Sequence, residues 1–271
     1  HYKVATLSRG YKRESKGYIL ADESVSAKEM GDEPFQFFSK FPDVLVAVDA
    51  DRRNGISQLL TYNPDVILLD DAFQHRKVKA GFYILLTAYN DLFSDDYILP
   101  FGNLREPEMG KKRANLIIVT KCPEDLSEIA QVKIRQQLIA KDTPIYFSTI
   151  VYDGYLYGER DQIEVKACEE SILLLAGIAK PELFFEHLKK EKDTVMTFPD
   201  HHNFTAEDIQ KILKTAQGRK IVTTEKDYVR LKGKLPVHQL YYLPIQSKII
   251  NDALGFNSKI LNYVGKNSRN S

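Results

Sequence analysis

Five short apolar runs in the first half of the chain alternate with amphipathic or polar segments. Each run has four or five residues, consists mainly of Leu, Ile and Val, and is followed by polar or turn-forming residues. Continuous apolar runs of this length are typical of strands that are buried on both faces of a parallel sheet. The predicted strands are residues 3–7, 44–48, 66–69, 82–86 and 116–119.

Segments with helical spacing lie between several of these runs. Residues 34–41 carry Phe at positions 35, 37, 38 and 41, and residues 125–141 repeat Leu, Ile and Val near the helical period. Strands that alternate with helices in this way predict an α/β fold of the doubly wound type.

A second α/β unit is predicted after a Tyr- and Gly-rich stretch. Residues 148–170 have the composition of a hairpin or linker. Beyond them the pattern predicts strands at 172–175, 220–223 and 240–243, and helices at 181–191 and from Thr205 onward. We therefore predict two α/β domains, at residues 1–149 and 171–265, joined by a linker or hairpin at 150–170 and followed by a tail at 266–271.

Charge and cysteine content exclude several classes of protein. The 271 residues contain 38 Lys and Arg and 37 Asp and Glu, so the net charge is +1. This balance argues against a nucleic-acid partner, which usually requires a basic excess. The two cysteines exclude a disulfide framework. The longest apolar stretch, residues 172–179, is shorter than the about 20 residues of a transmembrane helix.

Two adjacent acids follow the third predicted strand. Asp70 and Asp71 come directly after residues 66–69 and are followed by Gln74 and His75. Nucleotide kinases and hydrolases hold Mg²⁺ with an acid at such a strand end. Two acids can also cap the next helix, but the Gln and His that follow favour a functional site.

A second acidic pair, Asp32 and Glu33, precedes Pro34 and the Phe-rich helix. The pair could accept a hydroxyl proton or bind Mg²⁺. It could equally form the start of the helix, with Pro34 at the first helical position. The local sequence leaves both interpretations open.

Basic and imidazole side chains provide further candidates for binding and catalysis. Arg9 follows the first strand and could reach an anion, and Arg105 lies in a loop between two prolines. Within Asp200-His201-His202, one His could orient an acid while the other serves the next helix. Lys111-Lys112-Arg113 could face acidic phospholipid, although solvated surface is the usual role of such a cluster.

Taken together, six motifs occur in a characteristic order. This order closely resembles that of the tetraacyldisaccharide 4′-kinases, the lipid A kinases of Gram-negative bacteria, and the resemblance extends from Tyr2 to about residue 245. The motifs are Ser8-Arg9-Gly10-Tyr11, Gly31-Asp32-Glu33-Pro34, Asp70-Asp71-Ala72-Phe73-Gln74-His75, Leu104-Arg105-Glu106-Pro107, Phe198-Pro199-Asp200-His201-His202 and Thr224-Glu225-Lys226-Asp227.

The resemblance implies a P-loop kinase with a mostly parallel sheet flanked by helices and a second, smaller α/β domain. Members of this family transfer the γ-phosphate of ATP, with Mg²⁺, to the 4′-hydroxyl of a tetraacylated glucosamine disaccharide 1-phosphate, which gives lipid IVA. The expected partners are therefore ATP, an acylated disaccharide lipid and the membrane surface. The expected location is the cytoplasmic face of the inner membrane, either peripheral or anchored.

The resemblance also implies roles for individual residues. Asp32 matches the general base, and His201 is the histidine expected to pair with it. Asp70 and Asp71 match the acids near Mg²⁺, and Glu33 is a further metal contact. The remaining matched positions, which are expected to line the site, are Arg9, Gln74, His75 and Arg105.

This sequence departs from the family pattern in one important respect. The phosphate-binding motif G-x-x-x-x-G-K-[ST] does not occur in it. In the family this loop and a hydrophobic anchor precede the first strand, so we expect both before His1 and expect these 271 residues alone to be inactive. Two alternatives are a metal-dependent phosphoesterase, which needs no P-loop, and a non-catalytic module that binds a nucleotide or glycolipid.

Overall fold

The computed structural model describes residues 2–139 and 142–267, and its strands form three sheets within those ranges. The first sheet has the order β2-β3-β1-β4. Strand β1 lies at its centre and pairs in parallel with β3 and β4. The strands are β1 (Val4–Ser8), β2 (Ile19–Leu20), β3 (Leu45–Val48) and β4 (Val66–Leu69).

Three helices accompany the first sheet. They are α1 (Ala27–Met30), α2 (Asp32–Lys40) and α3 (Arg52–Leu60). Gly31 separates α1 from α2 with a φ of +90°, and a Cβ there would lie 3.2 Å from the carbonyl oxygen of Tyr11. Only glycine adopts this backbone at low cost. The turn places two acids in the first turn of α2, where the helix dipole favours negative charge.

The second sheet has the order β14-β7-β6-β5. Its core contains Ile117, Val119 and Phe147, which are fully buried beside helix α4. Strand β14 comes from near the end of the chain and pairs with β7 in an antiparallel arrangement. The elements are β5 (Ile84–Ala88), β6 (Leu116–Thr120), α4 (Glu128–Leu138), β7 (Ile145–Tyr152) and β14 (Ile245–Ile249).

The third sheet has six strands in the order β11-β10-β12-β13-β8-β9. Its central strand β10 is buried on both faces, so a hydrophobic core lies on each side of the sheet. The strands are β8 (Tyr155–Tyr157), β9 (Gln162–Glu164), β10 (Leu173–Ala176), β11 (Thr194–Thr197), β12 (Ile221–Thr224) and β13 (Leu240–Leu243).

Four further helices complete the described chain. Helix α6 begins at a capping box, in which Thr205 and Asp208 satisfy each other's backbone N–H groups. Helix α7 follows β12 directly and is capped by Thr224. The helices are α5 (Glu182–Leu188), α6 (Ala206–Ala216), α7 (Glu225–Leu231) and α8 (Ala253–Asn267).

The α/β fold predicted from the sequence is confirmed, with parallel-rich sheets flanked by helices. The expectation that all five early strands are buried on both faces is wrong for β4 and β5. Each is the edge strand of its sheet, and Leu68 and Leu86 are more than half exposed. The predicted strand at 82–86 begins two residues later, at Ile84.

Two predictions, the tail at 266–271 and the helix at 125–141, fall partly outside the described residues. Residues 266 and 267 of the predicted tail belong to α8, whereas 268–271 lie outside the described residues. Residues 140–141 of the predicted helix at 125–141 also lie outside them. In the described ranges, no helix is both long and apolar enough to span a bilayer.

Candidate active site

The first candidate residue, Asp32, lies at the start of α2 and contacts two residues of the chain's second half. Nε of Arg230 donates to Asp32 Oδ2 at 3.0 Å, and a second guanidinium nitrogen makes a closer contact with the same oxygen. The ring Nδ1 of His201 lies 3.4 Å from Oδ2. All of these contacts converge on one carboxylate oxygen.

The surroundings of Asp32 keep its carboxyl group ionised. Burial alone would raise its pKa. The hydrogen bonds and charge of Arg230, followed by those of His201, outweigh burial and hold the pKa of Asp32 below its usual value. A carboxylate that is ionised at neutral pH is able to accept a proton.

His201 approaches Asp32 from the loop between β11 and α6. Its φ is +59°, a left-handed conformation that is uncommon outside glycine and that often marks functional loops. Its Nε2 lies 3.0 Å from Nζ of Lys226, and the ring of Tyr11 meets it edge-on. The neighbouring His202 instead contacts the Asp208 carboxylate at 2.8 Å, as expected for a histidine that serves the next helix.

Helix α7 contributes the side chains that the sequence analysis did not identify as site residues. Lys226 and Arg230 lie four residues apart, so both project from one face of the helix. Arg230 is fixed at its other end by Asp227, a fully buried acid 3.3 Å away. Lys226 belongs to the motif Thr224-Glu225-Lys226-Asp227, so the four-residue spacing to Arg230 was the one signal in the sequence that placed Arg230 on the same face.

A second group of candidates surrounds the carboxyl end of β4. The Asp70 carboxylate accepts a hydrogen bond from Ser8 Oγ at 3.0 Å, and the backbone carbonyl of Asp70 accepts one from the buried Arg52. Strand pairing explains this placement, because β1 and β4 are parallel neighbours whose carboxyl ends meet.

Asp71 and Arg105 form a two-point ion pair at the same end of the sheet. The guanidinium nitrogens lie 2.7 and 3.2 Å from the two carboxylate oxygens. The bond to Asp71 raises the pKa of Arg105. Asp71 has a φ of +43°, which turns the chain away from β4. Both side chains are largely exposed, so the pair is free to exchange partners with a ligand.

These residues border a cavity of about 550 Å³ with a strongly basic lining. Two of its nitrogens, Arg52 Nε and His75 Nε2, are buried and have no hydrogen-bond partner among the residues that the structure describes. Burial, followed by the charges of Arg52 and Lys77, lowers the pKa of His75. The lining comprises Arg9, Ala50, Arg52, Asp71, Gln74, His75, Arg76, Lys77 and Arg105.

The donor set fits a nucleotide polyphosphate with Mg²⁺. The unpartnered buried N–H of Arg52 and the other arginines of the lining suit phosphate oxygens. Mg²⁺ is usually held by one or two carboxylates together with substrate phosphates. Asp70 and Asp71 supply such carboxylates, and no group of three or more protein ligands exists among the described residues.

The candidates therefore fall into two groups, one around Asp32 and His201 and the other around the basic cavity at the end of β4. The loop that follows β1 contacts both groups. Arg9 lines the basic cavity, while the adjacent Gly10 and Tyr11 lie against Gly31 and His201. Glu33 is exposed and forms no hydrogen bond or ion pair with either group within residues 2–139 and 142–267. The structure thus brings every candidate except Glu33 into direct contact with one of the groups.

Comparison with known proteins shows the family of this chain. Residues 1–265 match the family described as tetraacyldisaccharide-1-P 4′-kinase, LpxK. A tetraacyldisaccharide 4′-kinase of Flavobacterium johnsoniae is 59% identical, over 98% of this chain and 79% of the relative. The corresponding enzyme of Phocaeicola vulgatus is 44% identical, over 100% of this chain and 80% of the relative.

A solved structure extends the agreement to three dimensions. The crystal structure of LpxK from Aquifex aeolicus in complex with ATP superposes with a TM-score of 0.75 at 27% identity, and the match covers 97% of this chain and 79% of that one. On the family match, the identity to these relatives and the shared fold, the chain belongs to the tetraacyldisaccharide-1-P 4′-kinase family.

Proposed function

We propose that this chain acts as an ATP-dependent kinase on the 4′-hydroxyl of a tetraacylated glucosamine disaccharide 1-phosphate, with lipid IVA as the product. The observation that carries the proposal is the family match over residues 1–265. The basic cavity beside Asp70 and Asp71 supports it, because its lining suits a polyphosphate. The ATP complex of the Aquifex aeolicus relative supports ATP as the phosphate donor.

In this proposal the basic cavity binds the phosphates of ATP. Arg9, Gln74, His75 and Arg105 contact phosphate or substrate oxygens. Asp70 and Asp71 would hold Mg²⁺, whereas Glu33, which is exposed and contacts neither group of candidates among the described residues, is left out of this site. When bound, the ion neutralises charge on the phosphates during transfer. Arg105, which is paired with Asp71 and exposed, would be available to a phosphate oxygen.

Asp32 removes the proton from the acceptor hydroxyl. The hydroxyl oxygen forms a bond to the γ-phosphorus, the bond from that phosphorus to the bridging oxygen breaks, and ADP leaves with the electron pair. The proton passes to Asp32, which Arg230 and His201 hold in place. Catalysis of this kind depends on alignment and charge neutralisation.

The direct test is transfer of labelled γ-phosphate to the disaccharide lipid by the full-length protein, with Mg²⁺ and detergent-dispersed lipid. We expect a labelled 4′-phosphate product that requires ATP. Release of phosphate from a phosphoester without ATP would instead support the phosphoesterase alternative. Binding of ATP without either reaction would support a non-catalytic module.

We also propose that the protein works at the cytoplasmic face of the inner membrane, where an acylated substrate resides. Supporting this, the loop around Arg105, at residues 97–109, carries several exposed apolar side chains. Phe101 is 89% exposed at the tip of this loop. The others are Tyr97, Ile98, Leu99 and Met109. We call these five residues the apolar loop.

The basic cluster beside the apolar loop is only partly available to phospholipid. Lys111 pairs with Glu108, and Arg113 pairs with Glu106, so both are engaged within the protein. Lys112 is exposed and follows Met109 by three residues in a 3₁₀ turn, which places both on one side. An apolar tip beside a cation suits an anionic bilayer surface.

Vesicle sedimentation tests this membrane proposal. Phe101→Ser should weaken binding of the full-length protein to vesicles of phosphatidylglycerol and phosphatidylethanolamine by about tenfold, because burial of Phe contributes roughly 1.5–3 kcal/mol. Leu183→Ser is the matched control, since Leu183 is also largely exposed but lies on α5. Equal binding of both variants and the wild type would contradict the proposal.

A further inference from the structure

Helix α7 directs two cations at the Asp32–His201 pair from the opposite side of the site. Lys226 contacts His201 Nε2 at 3.0 Å, and Arg230 contacts Asp32 Oδ2 through two of its nitrogens. Both side chains are mostly buried, with 22% and 9% exposure. Such cations are costly to bury, so their placement at a proposed general base calls for a functional explanation.

Arg230 fixes which oxygen of Asp32 is available to a substrate. Its Nε and one terminal nitrogen both bond Oδ2, and its other terminal nitrogen lies 3.3 Å from Asp227. Asp227 is itself held by the backbone N–H of Gly177 and the hydroxyl of Thr224, each at 2.8 Å. The guanidinium is therefore anchored at both ends. Asp32 Oδ1 accepts no hydrogen bond from the described residues and remains for the acceptor hydroxyl.

Lys226 determines which nitrogen of His201 carries the proton. An ammonium group only donates hydrogen bonds, so its contact with Nε2 requires that nitrogen to accept. A neutral imidazole then carries its proton on Nδ1, the nitrogen that faces Asp32 Oδ2. A guanidinium nitrogen of Arg230 lies 3.1 Å from Nδ1 and, as a donor, would by the same rule make Nδ1 the acceptor. The Asp32 carboxylate oxygen beside Nδ1 favours the proton on Nδ1, because an unprotonated nitrogen there would face another lone pair.

The remaining charged groups around His201 agree with this assignment. Asp200 lies 3.8 Å from His201 Nε2 and 3.4 Å from Nζ of Lys226, so it balances the ammonium charge. On the neighbouring faces of α2 and α7, Lys40 pairs with Glu225 at 3.0 Å. Each of these cations thus has an acidic partner.

We propose that Lys226 and Arg230 are positioning residues for the general base. Arg230 holds Asp32 so that Oδ1 receives the hydroxyl proton, and Lys226 holds His201 in the Nδ1–H tautomer that donates to Oδ2. This inference rests on the proposed kinase function. Both positioning residues belong to α7, and neither lines the basic cavity.

Steady-state kinetics of the full-length protein test the proposal through kcat, KM and their pH dependence. Lys226→Met and Arg230→Gln should each lower kcat on the order of tenfold or more, because the base is misaligned. The KM for ATP should change less than about twofold, since neither side chain lines the basic cavity. Lys232→Met is the matched control and should leave kcat unchanged, because Lys232 is half exposed at the end of α7.

The pH profile separates positioning from a purely structural role. Arg230 lowers the pKa of Asp32, so its replacement by Gln should raise that pKa. The acidic limb of kcat/KM, which requires ionised Asp32, should then move to higher pH. Arg230→Lys keeps the charge and should move the limb less, while kcat still falls because the two-point contact is lost.

Histidine ¹⁵N spectra provide a readout that does not depend on activity. His201, identified by the signal lost in His201→Gln, should show the Nδ1–H tautomer in the wild type and a tautomer mixture in Lys226→Met. An Nε2–H tautomer in the wild type would overturn the role of Lys226. Wild-type kcat and an unmoved acidic limb in Arg230→Gln would overturn the role of Arg230. Failure of the wild type to transfer phosphate would instead overturn the proposed function.

Discussion

At the residue scale, the candidate site depends on how charges are paired around Asp32. The carboxylate is partly buried, which by itself favours the neutral acid. Arg230 and His201 reverse that preference by donating to one of its oxygens. The same contacts restrain the orientation of the side chain. One set of hydrogen bonds therefore sets both the protonation and the direction of the proposed base.

Asp227 holds Arg230 at the end that faces away from Asp32, so its removal should lower the free energy of unfolding. Asp227→Ala leaves the mostly buried Arg230 with one acidic partner fewer and the Gly177 N–H without an acceptor. We expect the free energy of unfolding to fall by about 3 kcal/mol, measured by urea denaturation. The exposed Asp125→Ala should change it by less than about 0.5 kcal/mol. A loss below about 1 kcal/mol for Asp227→Ala would contradict this account.

The sequence predicted two of the residues that meet at Asp32, namely Asp32 itself and His201. Asp32 and His201 could be predicted to pair because both lie in motifs shared with the family, and the structure places their side chains together. Helical spacing places Arg230 on the same face as Lys226, but its contact with Asp32 spans 198 residues and could not be assigned from the sequence. The roles of both residues in catalysis stay predictions until variants are measured.

At the element scale, buried strands could be predicted from the sequence, whereas exposed or interrupted strands could not. Strands β1, β6, β10 and β12 lie between two parallel partners, β3 lies between parallel β1 and antiparallel β2, and all five were predicted. Strand β14 was missed because four of its five residues are exposed, and pairing with β7 is what defines it. Strand β7 was missed because buried Ser148 and Thr149 interrupt its apolar run.

Helix α7 shows how a short element can serve a site. Thr224 caps it by accepting a hydrogen bond from the backbone of Asp227, which fixes its first turn. The four-residue spacing of Lys226 and Arg230 then carries both cations toward α2. Because the helix directly follows β12, its first turn lies at the carboxyl end of a central strand. This is the edge at which α/β sheets bind ligands.

At the scale of the whole molecule, the site lies where the two halves of the chain meet. Asp32 and Lys40 of α2 form ion pairs with Arg230 and Glu225 of α7. The chain also crosses between the halves, because β14 returns to pair with β7. The division into domains at residues 149 and 171 stays a prediction. The geometry of the base nevertheless depends on how these two helices pack.

The packing of α2 against α7 could not be predicted from the sequence alone. Apolar periodicity reports which residues are buried within an element, and it carries no information on how two sheets are placed. The resemblance supplied the pairing of Asp32 with His201, whereas the structure showed that Arg230 and Lys226 complete it. The basic cavity also required the fold, because its lining comes from four separate segments of the chain.

The central claim is that Asp32 accepts the hydroxyl proton in phosphate transfer to the disaccharide lipid. The most direct test is the kcat of full-length Asp32→Asn, a substitution that keeps the size of the side chain and removes its ability to act as a base. We predict a fall in kcat of about 10²- to 10⁴-fold with little change in the KM for ATP. A kcat within about threefold of the wild type would contradict the account.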